Sequence, residues 1–76
     1  MTADARITWS TPHHGVSHIT SLPRSHQITM NDYGWFSSAY LLDLRSARPY
    51  TPVKEITGRQ QDVKAAAESW ARALLA

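Results

Sequence analysis

The stretch YGWFSSAYLLDL, residues 33–44, decides the fold through its alternation. Side chains on a β-strand point to opposite faces with a period of two. Phe36, Ser38, Tyr40, Leu42 and Leu44 therefore share one face, and Trp35, Ser37, Ala39, Leu41 and Asp43 share the other. Both faces carry large apolar groups, so a strand here either is covered on two sides or leaves an apolar face for a partner. Immediately before it, NDYG supplies Asn, Asp and Gly, which tolerate the backbone angles of a tight connection. A turn is expected there, followed by the longest strand of the chain.

Downstream, RSARPYTP (45–52) carries two prolines and reads as a loop, and VKEI (53–56) as a short last strand at a sheet edge. The period then changes. In residues 57–76, TGRQQDVKAAAESWARALLA, Thr57 stands three residues before Gln60 in the pattern of a capping box, so a helix is expected over about 58–75. Val63, Ala66, Ala67, Trp70 and Leu74 recur at spacings of three and four and form its inward face. Gln61, Lys64, Glu68 and Arg72 form the outer side, with Glu68 and Arg72 in the favourable i, i+4 order.

Upstream, ARITWST (5–11) alternates as a first strand from about residue 6, with Ile7, Trp9 and Thr11 on one side, and ends at Pro12. PHHG (12–15) turns the chain, VSHITSL (16–22) reads as a second strand, PRS turns again, and HQITM (26–30) gives a third. The elements add up to an α+β domain: a small antiparallel sheet of three to five strands, within about residues 6–57, packed on one C-terminal helix. The 76 residues are too few for two cores, so residues 1–76 are read as a single domain.

Composition narrows the function classes. Apolar residues make up 42% and charged residues 18%, a balance that folds. The absence of cysteine removes disulfides, thiolate ligands and thiol nucleophiles together. No apolar run approaches the ~18 residues that span a bilayer. MTADARITWS also lacks a basic segment leading into an apolar one, so a cytoplasmic protein without a membrane partner is expected.

His13, His14, His18 and His26 are the four histidines of the chain. On a strand, His14 and His18 would stand about 13 Å apart, too far to share one ion, so no metal is expected. Ser, His and Asp are all present, yet no G-x-S-x-G elbow occurs and no carboxylate pair is spaced for acid and base work. Gly15, Gly34 and Gly58 stand alone, without a phosphate-cradling loop. The expectation is a non-enzymatic protein with no cofactor.

With a single helix to cover the sheet, the face of Trp35, Ala39 and Leu41, with Tyr33 and Tyr50 nearby, is expected to bind a protein partner or a second copy of the chain. Charge suggests an alternative. The net charge is only +2, but Arg45, Arg48, Lys54 and Arg59 fall in one run against the single acid Glu55.

Residues 33–76 also resemble the arm-type, AP2-like DNA-binding domains of phage integrases. The matching features are the aromatic strand (Trp35, Phe36, Tyr40), its charged end (Asp43, Arg45), Gly58 before the helix, and an alanine-rich helix carrying Trp70. The resemblance implies a sheet followed by a helix, with Arg45, Arg48 and Lys54 against DNA. In size and style the chain further resembles the small stand-alone proteins of phages and prophages, several of which inhibit host proteins.

Overall fold

A computed structural model describes residues 7–76. Five strands follow one another: β1 (Trp9–His13), β2 (Val16–Ile19), β3 (His26–Asp32), β4 (Ser37–Asp43) and β5 (Lys54–Gly58). They form one antiparallel sheet in sequential order, β1-β2-β3-β4-β5, so each strand pairs with its neighbour in the chain. One helix, α1 (Gln60–Leu75), follows β5 and lies back across one face, packed on β4, β3 and β5. The α+β class and the single helix are those the sequence led to, and the strand number is the upper end of the expected range. The first-strand start at Arg6 lies outside the described residues.

Sheet register fixes which side chains face the helix. Ile28 stands opposite Leu41 and Leu41 opposite Lys54; Met30 stands opposite Ala39 and Ala39 opposite Ile56. Paired residues point the same way. Ile28, Met30, Ala39 and Leu41 join Ile19 and the helix residues Val63, Ala67 and Ala71 in one buried cluster, with Trp9, Ile56, Trp70 and Leu74 packed around it. The helix thus turns three small or branched side chains to the sheet at its centre, and Trp70, expected as the central plug, sits half-buried at the margin.

The other face of the sheet is not covered by the helix, although Thr29 and Leu42 on it are buried. Ser10, His18, Thr29, Tyr40 and Glu55 form one row across all five strands, and Val16, Asn31, Ser38 and Thr57 form a second. The N-terminal strands extend this sheet and do not fold over it.

Several local expectations are corrected. β3 is as long as β4, seven residues each, because Asn31 and Asp32 continue the ladder and do not turn. The tight connection is Gly34–Trp35: Gly34 has φ +94° and the Tyr33 amide donates to the Phe36 carbonyl at 2.9 Å, closing a two-residue hairpin loop. β1 runs through Pro12, which an edge strand tolerates, beside a register shift between Ser10 and His13. The capping box does not form. β5 extends to Gly58, so Thr57 is a strand residue whose hydroxyl pairs with that of Ser38 at 2.9 Å, and the N-cap is Arg59, without a side-chain cap.

Candidate functional site

The five residues expected to make one partner surface fall in three places. Ala39 and Leu41 are core, with exposures of 0% and 6%, because their face of β4 is the one α1 covers. They are withdrawn as partner contacts. Tyr33 and Trp35 stand at the β3–β4 turn and are exposed, Trp35 at 87%. Tyr50 is exposed at 84%, but it lies in the loop after β4, at the opposite end of the sheet. Seven strand residues separate the two ends, about 23 Å at ~3.3 Å each.

What the turn does gather is an aromatic cluster that includes Phe36. The Tyr33 and Phe36 rings stack at 4.8 Å with planes 22° apart, and Trp35 meets Phe36 edge-on at 4.5 Å and 62°. Offset stacking and edge contacts are the geometries that ring quadrupoles favour. The backbone beneath is held by Asp32, whose Oδ1 accepts the Gly34 amide at 3.0 Å and the Ser37 hydroxyl at 3.3 Å. That carboxylate is therefore engaged within the hairpin. From the other side, Gly15 carbonyl accepts the Asp32 amide at 2.7 Å, which sets the β1–β2 turn against the base of the tip. The alternation of the sequence puts Phe36 on the strand; in the structure β4 begins at Ser37, and the two-residue turn before Phe36 places it in the cluster.

The opposite end carries charge. Arg45 and Arg48 lie in the β4–β5 loop and Lys54 opens β5, whereas Arg59 follows the far end of β5 beside the helix start. Arg59 is therefore removed from the expected cationic set. Its place is taken by Arg24, from the β2–β3 loop, which the Leu44 amide ties to the β4–β5 loop through the Ser25 carbonyl at 2.8 Å. Chain distance hid Arg24 from a reading that grouped charges by sequence proximity. The paired rows of the sheet face away from the helix carry no Lys or Arg; their histidines and carboxylate are His13, His18 and Glu55.

This end also holds Ser25, His26 and Asp43 in the order of a hydrolytic triad. Ser25 Oγ lies 2.8 Å from His26 Nδ1, while His26 Nε2 is 4.0 Å from Asp43 Oδ1. A carboxylate orients a catalytic imidazole from hydrogen-bond distance, about 2.6–3.2 Å. Asp43 Oδ1 instead accepts the Arg45 amide at 3.0 Å, so the trio joins two loops. Among the described residues no group of three or more His, Asp or Glu is gathered as a metal would require. No described helix is long and apolar enough to cross a membrane. No protein family, curated protein or solved structure matches this chain.

Proposed function

We propose that this chain is a non-catalytic binding module that seats the tip of its β3–β4 hairpin in an apolar cleft of a protein partner. The observation that supports this reading is the exposure of Trp35, 87%, at the edge of a stacked Tyr33–Phe36 pair on a braced two-residue turn. Trp and Tyr are the side chains that dominate interface energetics when they enter a partner's pocket. A preorganised tip loses little conformational entropy on binding. The rest of the molecule serves as a rigid mount: β3 and β4 are the central pair of the sheet and both pack under α1.

The test is affinity capture with four baits: the wild-type chain, Trp35→Ala, Tyr33→Ala and, as a control from the other end, Tyr50→Ala. A protein retained by wild type and Tyr50→Ala, lost with Trp35→Ala, and bound directly when purified supports the reading. Identical captures by all four baits sink it. Sedimentation of the chain alone separates a further outcome: a dimer abolished by Trp35→Ala would assign the tip to self-association.

A second reading, nucleic-acid binding through Arg45, Arg48 and Lys54, is favoured by their gathering at one end, and the loop that carries them sharpens it below.

A further inference from the structure

The geometry points to a second binding site at the β4–β5 end, for single-stranded nucleic acid: Arg24, Arg45, Arg48 and Lys54 hold successive phosphates and Tyr50 stacks on an unpaired base. Four cations from two loops and a strand start stand at this end of the sheet, where the Leu44 amide joins the two loops through the Ser25 carbonyl. Among the described residues none of them has a carboxylate within 4.0 Å. The nearby acids are differently occupied, since Asp43 caps the Arg45 amide and faces His26, and Glu55 belongs to the sheet face away from the helix.

The loop is built in advance. Ser46 amide donates to the Asp43 carbonyl at 3.2 Å and Thr51 amide to the Arg48 carbonyl at 3.1 Å, making two β-turns in succession. Arg48 amide donates to Ser46 Oγ at 3.3 Å, and Val53 amide returns the chain to β4 through the Leu41 carbonyl at 2.8 Å. Where Arg45 and Arg48 take part in this network they do so through their backbone, Arg45 through its amide to Asp43 and Arg48 through its amide and carbonyl, which leaves both guanidinium groups available. Pro49 fixes the first central position of the second turn, and Tyr50 occupies the next one with its ring 84% exposed.

Clustered cations alone would serve any polyanion. The aromatic ring narrows the class, because stacking on Tyr50 needs a free base face, and a base inside a duplex has both faces covered. This site does not rest on the hairpin-tip reading, since it uses the other end of the sheet.

The experiment is fluorescence anisotropy of a labelled 12-nucleotide oligo-dT with the full chain at about 50 and about 200 mM salt. Each phosphate held contributes about −0.7 to the slope of log K against log salt, so four give a slope near −3. Arg45→Glu and Arg48→Glu are each expected to lower affinity at least about fivefold, and Arg59→Glu, the same charge change at the other end, by less than about twofold. Tyr50→Ala should lose at least about fivefold and Tyr50→Phe should retain binding. Circular dichroism confirms that each variant is folded. No binding at the lower salt overturns the proposal. So does an equal loss for Arg59→Glu and Arg48→Glu, which would mean net charge alone. Tighter binding of a duplex of equal length, or full affinity in Tyr50→Ala with polyphosphate competing equally, overturns it as well.

Discussion

Trp9 donates its indole Nε1–H to Glu68 Oε2 at 2.8 Å, a bond that ties the edge strand β1 to the middle of the helix. The Lys64 ammonium lies 5.9 Å from the centre of the same ring. The contact joins residues 59 positions apart, so it forms only once sheet and helix have docked. An uncharged donor to a carboxylate contributes about 1.5–3 kcal/mol when sheltered. Both partners here are only half-buried, and about 1 kcal/mol is expected. Trp9→Phe and Glu68→Ala should each lose about that much in urea unfolding, and the double variant clearly less than their sum. Strict additivity would mean that the bond does not form in solution.

The division of β4 into a face under the helix and a face away from it is open to a direct test. Leu41→Ala removes a buried side chain beneath α1 and should cost about 2–4 kcal/mol. Trp35→Ala removes a ring already in water and should change stability by less than about 0.5 kcal/mol. Chemical denaturation of the two variants reads both numbers. Comparable losses would place Trp35 in the core, and with it the whole register of the β3–β4 hairpin would be in error.

That division was half legible in the sequence. The period of two in residues 35–44 separated the two faces correctly, because strand geometry leaves no other arrangement. Which face the helix would take was not legible from hydrophobicity, since Leu41 and Leu42 are equally apolar. Size decides it. Ser37 and Ala39 are small and both lie fully buried, as do Ala67 and Ala71 of the helix, so this is the pair of surfaces that lets the backbones come close. Tyr40 would hold them apart. Complementary small residues across the two elements assign Ala39 and Leu41 to the core and leave the hairpin tip and Tyr50 as the exposed aromatics. The turn itself was misplaced by two residues because Asn31 and Asp32, good turn residues, stay in β3 and use Asp32 to brace Gly34.

The three glycines should respond to alanine in different ways. Gly15 has φ +79°, and a Cβ there would lie 3.1 Å from the Asp32 carbonyl oxygen. Gly34 has φ +94° with nothing within 4 Å of the added atom. A left-handed backbone costs an L-residue about 1–2 kcal/mol. Gly34→Ala should show that loss alone, and Gly15→Ala should exceed it, because the crowding atom is backbone that anchors the tip. Gly58 has open space and no left-handed angle, so Gly58→Ala should be neutral or stabilise by up to about 1 kcal/mol through the unfolded chain. Thermal melts of the three variants give the order. A Gly15→Ala variant as stable as wild type would contradict the close approach of the β1–β2 turn to Asp32.

The helix start offers a gain. Arg59 occupies the N-cap with φ −68° and ψ 144°, the extended backbone that a capping residue adopts, yet no side chain accepts from the first-turn amides. Its positive charge also stands at the positive end of the helix dipole. Arg59→Ser supplies an acceptor and should add about 0.5–1 kcal/mol, and Arg59→Asp should add slightly more at low salt because its charge suits the dipole. For a domain of this size that corresponds to a melting temperature higher by roughly 2–8 °C. Arg59→Ala, which brings no acceptor, separates the cap from the mere removal of a cation. If Ser gains no more than Ala, the first helical residue is not Gln60, and Thr57 would regain its claim to the cap.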